Sequence, residues 1–384
     1  MMIQPVISGV YSTKVGQLEN SSCMSIHAEA TKGALADAGL TKTDIDGVLC
    51  AYSFVEPHLM LSSVFCEYFG LTPRFNSAIE AGGATSVIQI MHAAALVRSG
   101  ICRHVLCLTG DNRLTGMTRD GAVAALAGVG HVQFEQPYGL SVPAAYALVA
   151  QRYMHEYGVS SEHLAAIAVC HREHAALHPK AHYRKPISIE EVLNSRMIAS
   201  PLHLLDCCPI SDGGAAIIVS AGETAADLRK KPVAILGTGQ GHTHEHITEA
   251  PSLTEFGCKD SSRQAFTEAG VTLAEIDVAE IYDSFTITLL VELESIGFFE
   301  RGEAGPAAKA GELTFGGKLP CNTHGGLLSY GHSGAAGGAF HAVEAVRQLR
   351  GEAEKRQVED AALAFVHGDG GVLSAHGSIV LGRL

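Results

Sequence analysis

Short apolar, β-branched runs alternate along the chain with segments of helical period. VLCLTG (105–110), AAIIVSA (215–221), PVAILGTG (232–239) and SIVLGR (378–383) predict strands. Several are apolar on both faces rather than at every second position, which predicts sheets covered by helices on each side. HAEATKGALADAGL (27–40) predicts an amphipathic helix stopped by Gly39. Further helices are predicted at 87–100, 142–158 and 160–177. Strands and helices alternating in this way make a layered α/β architecture.

One segment occurs twice. Lys32-Gly-Ala-Leu-Ala-Asp-Ala-Gly-Leu-Thr-Lys-Thr-Asp-Ile-Asp46 recurs 231 residues later as Arg263-Gln-Ala-Phe-Thr-Glu-Ala-Gly-Val-Thr-Leu-Ala-Glu-Ile-Asp277. Each copy predicts a helix, a glycine stop, a short turn and a strand. The offset is too long for a solenoid and suits two homologous halves, placed at 1–230 and 231–384. Between the two copies, about 112–205 reads as an excursion over the core, with tyrosines at 138, 146, 153 and 157. Excursions of this kind build parts of substrate pockets.

Composition narrows the function. Of 384 residues, 47% are apolar and 17% charged, enough for a large core and too apolar for general disorder. The net charge of −13 argues against nucleic acid as the main partner. No run reaches the roughly 18 apolar residues of a membrane helix, and the first 16 residues lack the pattern of a signal peptide. The ten cysteines form no CxxC pair and sit mostly in apolar runs. That is the usage of buried thiols in a reducing cytoplasm, with no metal site in the chain.

Four segments carry candidate chemistry. Ala81-Gly-Gly-Ala-Thr-Ser86 opens into a buried helix, whose free amides and dipole favour an anion. Tight helix packing is the plainer reading of that turn. Ile281-Tyr-Asp-Ser-Phe285 ends the strand of the second repeat copy, where α/β folds gather ligands; a core Tyr and a helix cap from Asp283 or Ser284 is the alternative. The segment 321–338 packs His324, Tyr330 and His332 among glycines, which combines proton donors and acceptors with close backbone approach. Val366-His-Gly-Asp-Gly-Gly371 places His367 and Asp369 in a glycine turn.

Taken in order, ALADAGLTKTDIDGV (34–48), PLHLLDCCPISDGGAA (201–216), IYDSF (281–285), GGLLSYGHSGAAGG (325–338) and HGDGGVLS (367–374) resemble thiolase-superfamily proteins of the sterol-carrier-protein type. The resemblance covers nearly the whole chain. It implies a duplicated, five-layered αβαβα thiolase fold with a loop domain inserted in the N-terminal half, a homodimer, and coenzyme A thioesters as substrates. It also implies departures. The position of the nucleophilic Cys falls on Gly83, which cannot form an acyl-enzyme. The second family Cys falls on His367. The family's glycine-rich His is kept as His332, Tyr282 stands at the oxyanion element, and Tyr330 replaces a common Lys.

The combination resembles thiolase-like aldolases that lack the Cys, use tyrosines and pair with a small zinc-ribbon/OB-fold protein. It implies retro-aldol Cα–Cβ cleavage of an acyl-CoA, with Tyr282, Tyr330, His332 and His367 catalytic. Gly82, Gly83, Ala84, His324 and Gly331 are expected to hold the thioester, and Arg184 and Lys185 to reach coenzyme A phosphate. The alternatives are an acetyl-CoA acyltransferase with a displaced nucleophile (Cys66, Cys102 or Cys107), and a non-catalytic acyl-CoA- or lipid-binding subunit.

Overall fold

The computed structural model describes residues 3–384, apart from the side chains of Arg119 and Ala226. Met1 and Met2, which begin the segment read for a signal peptide, lie outside the described residues.

Nine strands form the sheet: β1 (Pro5–Ser12), β2 (Gly47–Cys50), β3 (Phe75–Ala78), β4 (His104–Asn112), β5 (Asp212–Ala221), β6 (Val233–His242), β7 (Val278–Ile281), β8 (Leu363–Gly370) and β9 (Ala375–Arg383). Their order is β3-β2-β4-β5-β1-β6-β9-β8-β7. The order contains one pattern twice. β2 runs parallel to β4, which is antiparallel to β5, itself antiparallel to β1. In the second copy β7 is parallel to β8, then β9 and β6 follow antiparallel. Among the described residues, Val6–Ala234 and Ile7–Val233 join the two ladders.

The helices that matter are α1 (Cys23–Ala38), α2 (Leu61–Phe69), α3 (Thr85–Arg98), α4 (Val142–Tyr157), α5 (Ser161–Ala176), α6 (Cys258–Ala269), α7 (Thr286–Ile296) and α8 (Gly337–Arg350). α1 covers the outer face of β1, β4 and β5, and α6 covers that of β6 and β9. α3 and α8 pack on each other and against strands of both ladders. The result is five layers, αβαβα. Both β4 and β5 are buried at every position, which is why their sequences do not alternate.

The repeat has a local physical cause. Both copies end their helix at a left-handed glycine, Gly39 (φ 76°) and Gly270 (φ 67°). In the first, the Asp44 carboxylate accepts from the Thr41 amide and hydroxyl, both at 2.7 Å. In the second, Glu275 does the same for Thr272 at 2.8 and 2.7 Å. Each capping interaction is worth about 1 kcal/mol and fixes the turn that feeds the next strand. The glycines of β6 serve packing: a Cβ at 237, 239 or 241 would come within 2.0–2.1 Å of backbone oxygens at the base of α6.

The excursion leaves the N-terminal half after β4 and lays α4 and α5 against α7 and the turn at 326–330. Tyr146 and Tyr153 are buried there, whereas Tyr138 is exposed. Among the described residues, no helix is long and apolar enough to cross a membrane.

Candidate active site

The two central helices are each entered through a tight turn, Gly82–Ala84 before α3 and Gly334–Ala336 before α8. Ser86 Oγ donates to the Ala335 carbonyl at 2.6 Å and stitches the turns together. Strand β8 passes beside the first turn, so the Asp369 carbonyl faces Gly83. Tyr282 follows directly on β7, and His332 follows the π-turn Gly326–Tyr330.

The decisive contact is between Tyr282 and Gly83. A Cβ on Gly83 would lie 1.9 Å from Tyr282 Oη, 2.2 Å from its Cζ and 2.4 Å from the Asp369 carbonyl oxygen. The phenol therefore fills the space that a side chain at 83 would need. Tyr282 Oη is 2.7 Å from His332 Nε2. His332 Nδ1 accepts from the Gly334 amide at 3.3 Å, so the single proton of the neutral imidazole belongs on Nε2, which donates to Tyr282. Burial, then the Arg113 guanidinium, keeps His332 neutral, its pKa lowered to about 3. Burial first, then the neighbouring Cys208 and Asp369, pushes the Tyr282 phenol well above its usual 10. The resting pair is thus a neutral phenol, held at its oxygen by an N–H and free to donate its own proton.

Asp283 fixes this geometry. Its carboxylate does not cap α7; it accepts from the Leu327 amide at 2.7 Å, the Leu328 amide at 3.3 Å and His171 Nδ1 at 2.8 Å. It thereby ties the strand end carrying Tyr282 to the loop carrying His332. His341 lies between Glu280 (3.3 Å) and Asp283 (3.5 Å), and the two carboxylates raise it to about 9 against the opposing effect of burial. A protonated His341 bridges the two acids, so Glu280 on β7 and Asp283 just after it are held from behind.

Gly82, Gly83 and Ala84 meet Tyr282 and His332 at one place. The other expected residues surround it at different depths. Tyr330 is buried, with its hydroxyl donating to Ser12 Oγ at 3.0 Å. Gly331 packs against Ser211 and Val15. His324 is buried in the cluster of Glu280, with its Nδ1 2.9 Å from Glu280 Oε2. His367 is buried on the far side of β8, between Ser378 Oγ (2.9 Å) and His376 Nδ1 (3.2 Å). Arg184 and Lys185 are exposed on the excursion.

Two residues escaped the sequence reading. Arg113 is buried at the end of β4, stacks on Phe54 at 4.6 Å and opposes protonation of His332. Its place at the C-terminal end of a sheet strand was the available signal. Tyr146, read only as part of a tyrosine-rich segment, donates to Asp369 Oδ2 at 2.8 Å; nothing local in the sequence marks that pairing. A surface cavity of about 770 Å³ lies elsewhere, against α6 and α7.

The displaced nucleophiles fare poorly. Cys66, Cys102 and Cys107 are buried in the core, and burial raises the first two thiols to about 11 and the third further. Thiols held that far up carry almost no thiolate at neutral pH.

Comparison with known proteins agrees with this architecture. Residues 6–223 match the thiolase N-terminal domain, and residues 239–383 match the thiolase C-terminal domain-like family. The chain is 34% identical to an acetyl-CoA acetyltransferase of Methanothermobacter thermautotrophicus, over 96% of this chain and 98% of that protein. It is 38% identical to a 17-hydroxy-3-oxo-4-pregnene-20-carboxyl-CoA lyase of Mycobacterium tuberculosis, over 91% and 92%. Among solved structures, an Ltp2-ChsH2(DUF35) aldolase superposes with a TM-score of 0.88 at 34% identity, covering 99% of this chain and 98% of that one. With both family models matched in order over residues 6–223 and 239–383, the chain belongs to the thiolase family.

Proposed function

We propose that the protein is a carbon–carbon lyase that cleaves the Cα–Cβ bond of a β-hydroxyacyl-CoA by retro-aldol chemistry, without an acyl-enzyme. The observation that carries this reading is Tyr282 Oη, 1.9 Å from where a side-chain atom of residue 83 would stand. A phenol has taken the nucleophile's room, and Tyr282 with His332 is left as the acid–base pair.

The proton balance closes within that pair. In one step Tyr282 passes its own proton to Cα as the Cα–Cβ bond breaks, and its oxygen, becoming phenolate, takes the β-hydroxyl proton as the Cβ–O bond becomes a carbonyl. The products are a ketone or aldehyde and a shortened acyl-CoA. His332 Nε2–H stabilises negative charge on the Tyr282 oxygen during the transfer, and the amides of Gly82 and Gly83 are assigned to the enolate oxygen, while the Ala84 amide holds the turn by donating to the Ala81 carbonyl at 3.1 Å. Tyr330, His324, Gly331 and His367 support the loops that form the site. Arg184 and Lys185 are assigned to coenzyme A phosphate.

We further assign a homodimer, halves at 1–230 and 231–384, and a cytoplasmic location, where ten free cysteines are stable. A small zinc-ribbon/OB-fold partner is assigned from the DUF35 component named in the similar aldolase complex. The test incubates the chain, with and without such a partner, with the steroid thioester of the similar lyase. Mass spectrometry is expected to detect the ketone and the shortened acyl-CoA, both lost in Tyr282→Phe. An acyl group trapped covalently on the chain during turnover would overturn the reading in favour of acyl transfer.

A further inference from the structure

Behind β8, ligand atoms of Glu292, His367 and His376 gather within reach of one another, and Asp369 borders them. His367 Nε2 lies 3.2 Å from His376 Nδ1 and 3.5 Å from Glu292 Oε1. His376 Nδ1 lies 4.0 Å from the same Glu292 oxygen and 3.9 Å from Asp369 Oδ1. Each of the four residues is at most 1% exposed. Both Glu292 oxygens and Asp369 Oδ1 have no hydrogen-bond partner among the described residues. A buried carboxylate left bare in this way costs several kcal/mol unless a proton or a cation neutralises it.

We propose that Glu292, His367, Asp369 and His376 bind one divalent cation of the zinc class, as a closed structural site. Two imidazoles and two carboxylates select a borderline first-row ion over magnesium or calcium, and their charge balances a dication. Zinc–nitrogen and zinc–oxygen bonds of about 2.0–2.1 Å place tetrahedral ligands about 3.3 Å apart. The Glu292, His367 and His376 atoms stand 3.2–4.0 Å apart and need only a small contraction, whereas Asp369 Oδ1, 3.9 Å from His376 Nδ1 and outside that trio, swings inward to complete the four.

The outer contacts suit the same purpose. His376 Nε2–H donates to the Leu373 carbonyl at 3.0 Å, which leaves the Nδ1 lone pair facing the cluster. His367 Nδ1 meets Ser378 Oγ at 2.9 Å, so its Nε2 can face inward as a lone pair. Tyr146 Oη holds the other Asp369 oxygen at 2.8 Å. Such partners orient metal-binding side chains and are worth tenfold to hundredfold in affinity.

The set was hidden from motif reading because the β8–β9 hairpin builds it. Asp369 pairs directly with His376 and His367 with Ser378, so all four share one face, and α7 supplies Glu292 from above. The expectation of a metal-free chain rested on the absence of a CxxC pair. The second buried His/Glu group, Glu280 with His324 and His341, has internal compensation instead. Glu280 Oε1 accepts from the Thr323 amide and hydroxyl, and His341 is its cation.

The role that follows is positional. The cation clamps β8 and β9 to α7 and so fixes the Asp369 carbonyl against Gly83. This inference does not rest on the lyase reading, because its readout is metal content.

The test uses the full untagged chain, loaded with zinc and passed over a chelating resin to strip the ion from surface histidines. Elemental analysis is expected to find about one zinc per chain, with a higher melting temperature than the chelator-treated form. Cobalt loading is expected to give the visible bands of a four-coordinate ion. His376→Gln and Glu292→Gln are expected to lose both signals, and Ser378→Ala to fold normally and bind tenfold to hundredfold more weakly. If the first two do not fold, Ser378→Ala carries the test alone. Wild-type protein that retains no zinc, zinc retained equally by Ser378→Ala, or zinc lost through His341→Gln rather than His376→Gln would each overturn the proposal.

Discussion

Adding one methyl group at Gly83 tests the architecture of the site most directly. Gly83, unlike Gly82, does not sit at positive φ, so alanine there introduces no backbone strain of its own. The new Cβ would stand 1.9 Å from Tyr282 Oη and 2.4 Å from the Asp369 carbonyl oxygen. Carbon–carbon contacts settle at about 3.5–4.0 Å, so the phenol must retreat by roughly 1.5 Å. The carbonyl belongs to a central strand and has less freedom. Overpacking of this kind costs about 1–3 kcal/mol. The retreat also breaks the 2.7 Å bond to His332, and misplacing a reacting group by about 1 Å costs about 100-fold in rate.

Urea denaturation and turnover measured on Gly83→Ala should therefore both fall. Two of the three closest atoms belong to Tyr282, so the same methyl group should cost less in a Tyr282→Ala background while keeping a remainder from Asp369. A Gly83→Ala protein with unchanged stability and turnover would refute the claim that the phenol occupies the nucleophile's room.

Other outcomes follow from the same geometry. Tyr282→Phe should lower turnover by at least about 100-fold, and it should cost about 1–3 kcal/mol in chemical denaturation, because His332 Nε2–H loses its buried acceptor. Iodoacetamide at neutral pH should leave activity intact, since burial holds Cys66 and Cys102 at about 11; inactivation prevented by substrate would contradict it. His341, raised to about 9 in the fold from an ordinary 6.5, should contribute on the order of 3 kcal/mol. That contribution is complete below about pH 6.5 and disappears as pH rises through about 9. Denaturation curves of wild type and His341→Gln should therefore differ most near pH 6 and converge above pH 9; a constant gap would show that the ion pair is not its source.

Much of the fold was legible because it is written in local terms. Gly39 and Gly270 stop helices by conformation, Thr41–Asp44 and Thr272–Glu275 cap turns through short contacts, and unbroken apolar runs mark doubly covered strands. Gly83, Tyr282 and His332 could also be found, since each lies at a glycine-rich turn or strand end where backbone approach matters. Arg113 and the Tyr146–Asp369 contact could not be ranked the same way. Their importance comes from neighbours far apart in sequence, and a buried arginine and an exposed one read alike on the page.

The chain by itself determined a duplicated α/β architecture, because caps, periodicity and glycine positions act within a few residues, and its motifs resemble thiolases closely enough to set Gly83 where the family carries its nucleophile. Only the tertiary structure decided that a phenol fills the space a side chain at 83 would need, that His332 donates to it, and that buried imidazoles and carboxylates gather behind β8. Those facts depend on strands and helices brought together from opposite ends of the sequence, where distances of a few tenths of an ångström separate contact from collision.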